Sequence, residues 1–244
     1  MRLNCDLGED YGVWRMPVDE SILPLIDQAN IACGFHAGDP LTIEKTLKQV
    51  IQHNLKIGAH PSYPDRLGFG RRHMAMEPSE LVACLRYQIS AISGLAHCFG
   101  GEITYVKPHG ALYNDLVSNE QIRHSVFSAL ASFEGLELMV QAHPMQGTFI
   151  AEANEFGVDL QFEAFIDRLY LDDGSLAPRT LSGSVLDETS AVLQARQIIE
   201  TNSVTTHSNN ILAIKSDTLC IHGDNPNALN VARAVREMLV SDKS

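Results

Sequence analysis

The chain has little positive charge and lacks long apolar runs. Its 244 residues include 18 Lys and Arg against 30 Asp and Glu, which gives a formal net charge of -12 at pH 7. This excess of negative charge repels phosphate backbones and anionic lipids, so nucleic acid and membranes are not expected partners. No run approaches the ~20 apolar residues of a membrane-spanning helix, and the first eight residues lack a signal-peptide core. We therefore expect a cytoplasmic protein.

Cysteine is scarce and follows no metal-binding or disulfide pattern. The five cysteines are odd in number and include no Cys-x-x-Cys spacing, which argues against a disulfide framework and a zinc knuckle. We expect free thiols that mainly fill space in the core. Cys33 is the candidate for a position in a pocket, because glycine and histidine follow it closely.

Two motifs of nucleotide-binding proteins and hydrolases are also missing. The sequence contains no Gly-x-x-x-x-Gly-Lys-Ser/Thr motif, so any nucleotide would have to be bound in another way. It contains no Gly-x-Ser-x-Gly elbow either, so a Ser-His-Asp triad is not indicated.

Seven apolar runs of strand length recur along the chain. They lie near residues 2–6, 28–33, 55–59, 103–107, 136–141, 158–164 and 218–222. Segments with helical periodicity separate most of them, and this alternation indicates βαβ units in a parallel sheet. Since no linker or low-complexity segment interrupts the pattern, we predict that residues 1–244 form one α/β domain, a seven-stranded parallel β/α barrel.

Proline and capping residues mark three helix starts. Pro78 opens a helix that extends to Phe99, and Asp39-Pro40 and Asn225-Pro226 open two others. The last two starts closely follow His36 and His222. Residues 202–216 are assigned to no element.

Polar or titratable clusters follow several strands directly. Parallel strands gather their functional groups at their carboxyl ends, so these clusters are expected in one pocket. Imidazole is the side chain most easily tuned to exchange protons near neutral pH. Lys107 and His109 are two residues apart and point to the same side of an extended strand; the lysine requires either an anionic substrate group or a structural carboxylate. The predicted catalytic residues are Asp6, His60, Lys107, His109, His222 and Asp224.

Further residues are predicted to bind substrate or nucleotide. Glu9 would act with Asp6, since paired carboxylates hold a divalent cation or divide acid and base duties. Two long connections, 61–77 and 166–183, contribute arginines that could bind an anion, although an internal salt bridge anchoring the second loop is equally consistent with its sequence. The predicted binding residues are Glu9, Asn30, His36, Arg71, Glu163 and Arg168.

Six collinear segments of the chain form a recognisable set. They are Asn4–Glu9, Ala29–Asp39, Gly58–Asp65 with Gly68–Arg71, Val106–Asn114, Asp167-Arg168 with Gly174–Leu176, and His222–Asp224. These segments resemble the LamB/YcsF family, whose members are the A subunits of bacterial 5-oxoprolinase. The family pattern has Ala at the position of Cys5, which is a change between small residues.

The resemblance implies a barrel similar to the glycoside hydrolase and polysaccharide deacetylase superfamily. It also implies ATP-dependent opening of the 5-oxoproline lactam to L-glutamate, with partner subunits B and C. Lys107 and Arg71 would neutralise phosphate charge, while His60, His109 or Asp224 would handle the proton of the attacking water.

The resemblance defines neither the metal nor the division of labour among subunits. Asp6 and Glu9 would hold Mg²⁺, or Asp6, His60 and His109 would hold another divalent ion, as in related deacetylases. Two alternative functions are a stand-alone metal-dependent amidase or deacetylase, which would need no ATP, and a noncatalytic subunit that binds the lactam or docks its partners.

Overall fold

Seven parallel strands close into a barrel in the computed structural model, which describes residues 1–16, 20–223 and 227–241. Each strand pairs with the next along the chain, and the last pairs with both the sixth and the first. The seven strands predicted from the apolar runs are confirmed. They are β1 (Arg2–Leu7), β2 (Gln28–Ala32), β3 (Lys56–His60), β4 (Ile103–Val106), β5 (Glu137–Gln141), β6 (Leu160–Phe165) and β9 (Thr218–Ile221).

Helices cover the outside of the barrel because each carries one apolar stripe. On the second helix the stripe is buried, with Leu81, Leu85, Ile89, Ile92 and Ala96 packed in the core. A short 3-10 turn lies at Leu23–Leu25. The helices are α1 (Pro40–Gln52), α2 (Pro78–Cys98), α3 (Gly110–Ser118), α4 (Glu120–Leu130), α5 (Gln146–Glu155), α6 (Glu188–Thr201) and α7 (Ala228–Ser241).

Asp39 caps α1 as its sequence predicts. Its Oδ1 atom accepts hydrogen bonds from the backbone N–H groups of Leu41 at 3.0 Å and Thr42 at 2.9 Å, and Pro40 occupies the first turn. The predicted start of the last helix at Asn225-Pro226 lies outside the described residues.

A small hairpin occupies the stretch that the sequence left unassigned. Strands β7 (Ser203–Thr205) and β8 (Ile211–Ala213) pair antiparallel and lie outside the barrel. Each has only three residues, too few for a clear period-2 pattern.

The interior of the barrel, below the carboxyl ends of its strands, is partly polar. Asn4 donates from Nδ2 to Glu163 Oε2 at 3.2 Å and Thr218 Oγ1 at 3.1 Å, and Gln28 donates to Gln161 at 3.0 Å. Buried polar groups are tolerated when they are hydrogen-bonded in this way. These hydrogen-bonded side chains lie beneath the polar residues at the carboxyl ends of the strands.

The fold bears on the expectations for membrane-spanning helices and for the cysteines. Among the described residues, no helix is both long enough and apolar enough to cross a membrane. The cysteines are free, and Cys33 is buried. Burial raises the pKa of its thiol above the usual value, which disfavours the reactive thiolate.

Candidate active site

A cavity of about 360 Å³ opens at the carboxyl ends of the barrel strands. Its size suits a small molecule, and positive groups outnumber negative ones on its walls. The structure thus brings together side chains that are far apart in sequence. The titratable lining residues are Asp6, His60, Arg71, Lys107, His109, Arg168, Arg179 and His222.

Lys107 lies at the floor of the cavity and is held by two carboxylates. Its Nζ atom is 2.9 Å from Asp6 Oδ1, 3.2 Å from Glu163 Oε2 and 3.1 Å from Cys220 Sγ. Burial favours the neutral amine, but Asp6, Cys220 and Glu163 outweigh it and raise the pKa of Lys107 well above its usual value. The sequence allowed either an anionic substrate group or a structural carboxylate as the partner of Lys107, and the structure shows structural carboxylates there.

Asp6 is fixed as an anion by its neighbours. Its Oδ1 atom also accepts from Asn30 Nδ2 at 2.8 Å, and its Oδ2 atom lies 3.4 Å from His60 Nε2. Burial alone would raise its pKa, but His60 and Lys107 hold the pKa of Asp6 well below 3.8. Tyr105 donates to Asn30 Oδ1 at 2.6 Å and so fixes the amide that contacts Asp6.

His60 and His109 face each other across 2.9 Å, from Nε2 of the first to Nδ1 of the second. The opposite nitrogen of each ring contacts a backbone carbonyl: His60 Nδ1 lies 2.6 Å from Lys107 O, and His109 Nε2 lies 2.9 Å from Phe69 O. A carbonyl oxygen only accepts hydrogen bonds, so these contacts assign a proton to the outer nitrogen of each ring.

His36 and Glu9 complete a buried group behind this pair. The His36 ring stacks on His109 with centroids 3.7 Å apart and planes 4° from parallel. Glu9 Oε1 lies 3.0 Å from His36 Nε2 and 3.5 Å from His109 Nδ1. Burial lowers the pKa of both His36 and His109 well below 6.5, and neighbouring histidines add to this effect. Glu9, His36, His60 and His109 are called the histidine–glutamate cluster below.

Gly70 allows the loop after β3 to reach this cluster. Its φ is +65°, and a Cβ atom there would lie 2.8 Å from His109 Cδ2 and 2.9 Å from His36 Cβ. Only glycine permits both the left-handed backbone and the close approach. The same loop brings the carbonyl of Phe69, whose φ is +54°, to His109.

His222 also lines the cavity and pairs with Asp167. The His222 Nδ1 atom is 2.9 Å from Asp167 Oδ1, and the His222 backbone N–H donates to Oδ2 at 3.3 Å. Burial would raise the pKa of Asp167, but His222 outweighs it and the pKa lies below 3.8. The His222 ring also stacks on Phe165 at 5.3 Å.

The remaining predicted residues lie around this core. Arg71 lines the mouth and packs over the Phe69 ring at 4.8 Å. Arg168 lines the cavity and also anchors its own loop, donating from Nη2 to Ala177 O at 2.6 Å. Glu163 and Asn30 lie beneath the floor, in contact with Lys107 and Asp6 respectively. The predicted Asp224 lies outside the described residues.

Sequence reasoning missed three contributors to this geometry. Asp167 was considered only as an anchor of its loop, whereas it orients His222, 55 residues away. Phe69 contributes through its carbonyl, for which the flanking Gly68 and Gly70 were the available signal. Tyr113 lines the cavity from α3 and packs edge-on against Phe165.

The ligand types in the histidine–glutamate cluster argue against Mg²⁺ and favour the alternative of another divalent ion. Its candidate ligand atoms all lie within 4.8 Å of one another. Three imidazoles and one carboxylate do not suit Mg²⁺, which prefers oxygen ligands and retains several waters. Asp6, the carboxylate common to both alternatives, is bonded to Lys107 and Asn30.

Comparison with known proteins agrees with the motifs around this cavity. Residues 1–244 match the model of the LamB/YcsF family. The chain belongs to the LamB/YcsF family. This LamB/YcsF chain is 46% identical over 240 residues to the A subunit of 5-oxoprolinase from Vibrio cholerae, covering 98% of this chain and 97% of that protein.

Two further similarities cover almost the whole LamB/YcsF chain. It is 47% identical over 241 residues to a 5-oxoprolinase A subunit of Pseudomonas aeruginosa, covering 98% of this chain and 96% of that protein. It is also similar to the crystal structure of a lactam utilization protein from Thermus thermophilus, with a TM-score of 0.89 and 40% identity over 99% of this chain and 96% of the other. The closed barrel is therefore the fold of this LamB/YcsF chain.

Proposed function

We propose that the chain is the A subunit of an ATP-dependent 5-oxoprolinase and opens the lactam of 5-oxo-L-proline in the cavity described above. The observation that carries the proposal is the similarity to the A subunit of Vibrio cholerae 5-oxoprolinase over 98% of this chain. A cavity of about 360 Å³ with several proton-exchanging side chains is consistent with a substrate of this size and chemistry.

The reaction begins from a poor electrophile. ATP supplies a phosphoryl group to the lactam oxygen, which makes the ring carbon susceptible to water and leaves ADP. One water adds to that carbon, the ring C–N bond breaks, and the nitrogen takes a proton to become the amine. The resulting acyl phosphate reacts with a second water to give inorganic phosphate and L-glutamate.

His222 is suited to handle the proton of the attacking water. Asp167 binds its Nδ1 atom, so Nε2 is the nitrogen left for proton transfer. The buried carboxylate also stabilises the imidazolium that forms when Nε2 takes a proton. His60, His109 and Asp224 remain alternative bases in the proposal.

Positive charge at the cavity suits an anionic substrate. Arg71, Arg168 and Arg179 line it, and the substrate carboxylate and the transferred phosphoryl group are both negative. In a protein with a net charge of -12, this concentration of arginines favours anion binding locally. Lys107 lies at the floor of the cavity and holds Asp6 in place through their ion pair.

The proposal includes partner subunits B and C and Mg²⁺ that accompanies ATP. The names of the two bacterial relatives describe one component of a larger enzyme, so the complete reaction is assigned to an assembly. The chain would contribute the hydrolytic cavity, and its partners would contribute to activation of the lactam.

The test is ATP consumption and L-glutamate release, measured with and without 5-oxoproline, for the chain alone and with subunits B and C. We expect both products only with the partners and the lactam present. His222→Asn should abolish glutamate release while the complex still assembles on a sizing column. An unchanged rate in this variant would exclude His222 as the base. Unchanged rates in Lys107→Ala and His109→Ala complexes that still assemble would support a noncatalytic lactam-binding role.

The histidine–glutamate cluster favours one second candidate, a metal-dependent amidase or deacetylase. Such an enzyme would hydrolyse a simple amide or an N-acetyl sugar without ATP. Turnover of these substrates by the chain alone, with no response to 5-oxoproline in the assembly, would replace the proposed function with this one.

A further inference from the structure

We propose that an apolar patch beside the mouth of the cavity is the surface on which a partner subunit docks, and that this partner meets it with apolar side chains surrounded by acidic ones. The inference rests on the proposed function, because the partner is a subunit of the proposed 5-oxoprolinase assembly. The patch is called the rim patch below. Its members are Val13, Trp14, Leu41, Leu67 and Tyr87.

The rim patch concentrates apolar surface that the fold leaves in contact with solvent. Among the residues that the structure describes, thirteen large apolar side chains are exposed, and five of them belong to this patch. Leu67 is 96% exposed, Val13 is 87% exposed, and Trp14, the only tryptophan of the sequence, is 70% exposed. Single exposed apolar residues are ordinary on a soluble protein, but a contiguous group of them marks an interaction surface.

Contacts between three loops make the patch contiguous. The Tyr11 ring stacks on the Trp14 ring with centroids 6.1 Å apart, and the guanidinium of Arg66 lies over the Tyr11 ring at 4.2 Å. Arg66 also donates a hydrogen bond to the carbonyl of Gly34. The loops that follow β1, β2 and β3 are therefore joined at this side of the barrel.

Two further contacts extend the patch to the first two helices. The ring of Phe35 packs against the ring of Tyr87, on α2, with centroids 5.8 Å apart. The carboxylate of Asp39 accepts from the backbone N–H of Gly12 at 3.1 Å and from that of Leu41, on α1, at 3.0 Å. Because these contacts already hold the loops in place, docking requires little further ordering of the surface.

The rim patch adjoins one wall of the cavity. Leu67 belongs to the loop after β3, which also carries Phe69 and Arg71. The Phe69 carbonyl lies 2.9 Å from His109 Nε2, and the exposed Arg71 lines the cavity. A subunit seated on the patch would contact this same loop. The position suits a partner that contributes to activation of a lactam held in the cavity.

The charge around the patch indicates the chemistry of the partner. Residues 11–15 and 66–73 contain four arginines and no Asp or Glu, although the whole chain has a net charge of -12. Two of these arginines pair with the neighbouring Asp10 and Asp65, which leaves the balance positive. A partner with acidic residues around its apolar contacts is complementary to this surface. Trp, Tyr and Arg are also the residue types that most often dominate the binding energy of an interface.

A second copy of this chain is the competing occupant. Two copies joined through the rim patch about a twofold axis would bring the arginines of one copy near those of the other. Like charges repel across such an interface, whereas an acidic partner is attracted. The patch therefore favours a different subunit over self-association.

The test measures the affinity of the full chain for subunits B and C, with Leu67→Asp and Trp14→Ser as variants. Both side chains are largely exposed, so both variants should fold, and circular dichroism would verify this. We expect each variant to weaken assembly at least about 10-fold. Leu193→Asp makes the same change at a 60% exposed leucine of α6 and is the matched control, with wild-type affinity expected.

Two further measurements separate docking from a catalytic role. Leu67→Asp should lose turnover of 5-oxoproline when the partners are present near their wild-type Kd and recover the wild-type kcat when they are in large excess. Raising the ionic strength from about 0.05 M to about 0.5 M should weaken wild-type assembly, because salt screens the arginines.

The outcomes distinguish this inference from the proposed function. Wild-type affinity in Leu67→Asp and Trp14→Ser, within an assembly that hydrolyses the lactam, would overturn the docking surface alone. Weakened binding in both variants, within an assembly that never consumes 5-oxoproline, would overturn the proposed function alone. A wild-type chain that binds neither B nor C would overturn both.

Two other results bear on the partner itself. Assembly that does not respond to ionic strength would overturn the acidic character of the partner surface. Self-association of the wild-type chain that Leu67→Asp abolishes, measured by sedimentation, would assign the rim patch to a second copy and overturn docking of a different subunit.

Discussion

Asp167 binds His222 twice, through the ring Nδ1 atom at 2.9 Å and through the backbone N–H at 3.3 Å. The ring and the main chain that carries it are therefore fixed by one carboxylate, which itself is buried just after the end of β6. This arrangement fixes both the tautomer and the direction of the imidazole.

Asp167→Asn should reduce turnover in the reconstituted assembly. An amide cannot stabilise the imidazolium as a carboxylate does, so we expect kcat to fall by about 100-fold or more while KM changes little. Steady-state kinetics with 5-oxoproline would measure both constants. Asp173→Asn, an exposed acid of the same loop that contacts Ser175, is the control and should leave both constants unchanged. Equal kcat values for Asp167→Asn and wild type would contradict this positioning by Asp167.

Gly70→Ala should destabilise the protein more than its backbone strain alone predicts. Gly135 has a similar positive φ of +75°, but a Cβ there meets no atom within 4 Å, whereas Gly70 adjoins His36 and His109. We expect Gly135→Ala to cost about 1 kcal/mol in free energy of unfolding and Gly70→Ala about 2 kcal/mol more. Urea denaturation would give both values, and equal losses would refute the packing contribution.

Lys107→Met should strongly destabilise the barrel because it leaves Asp6 and Glu163 buried without their cation. The expected loss in free energy of unfolding is about 3–5 kcal/mol at pH 7. Adding Glu163→Gln to this variant should recover part of the loss. Lys56→Met, at an exposed position on β3, is the control and should change stability by less than about 0.5 kcal/mol. A double variant no more stable than Lys107→Met would contradict the proposed charge compensation.

The contact between α4 and α5 should depend on pH through Glu152. Arg123 donates to it from Nε at 2.5 Å and Nη2 at 2.8 Å and lowers the pKa of Glu152 from 4.5. Because the folded-state pKa is the lower one, this stabilisation is present above pH 4.5 and is lost as the pH falls through the folded-state value. Glu152→Gln should therefore cost about 1–2 kcal/mol at pH 7 and progressively less below pH 4.5.

Urea denaturation of wild type and Glu152→Gln between pH 7 and pH 3 measures this difference. Glu155→Gln changes an exposed acid at the end of the same helix and should show no such dependence. A Glu152→Gln cost that stays constant with pH would exclude the carboxylate as its source.

Much of the barrel follows from local sequence. Parallel strands buried on both faces are nearly continuous apolar runs, so all seven could be located, and Asp39 and Pro78 marked helix starts. The hairpin of β7 and β8 could not be predicted. Its strands have three residues each and depend on their pairing with one another.

The candidate site was predictable in its members but not in their pairings. His60, His109 and His222 were found because each follows an apolar run. Sequence could not show that His222 faces Asp167 while the other two face each other, since contacts across the barrel depend on strand register. For Lys107 the sequence allowed substrate or structural partners, and the structure supplies Asp6 and Glu163.

Barrel closure has a consequence for synthesis of the protein. Asn4 in β1 bonds to Thr218 in β9, which is 214 residues further along the chain. On the ribosome, β1 can pair with β2 early, but its other edge stays open until β9 has emerged. The polar contacts between Asn4 and Thr218 therefore form only after β9 is available, and a nascent chain interrupted before β9 cannot acquire them.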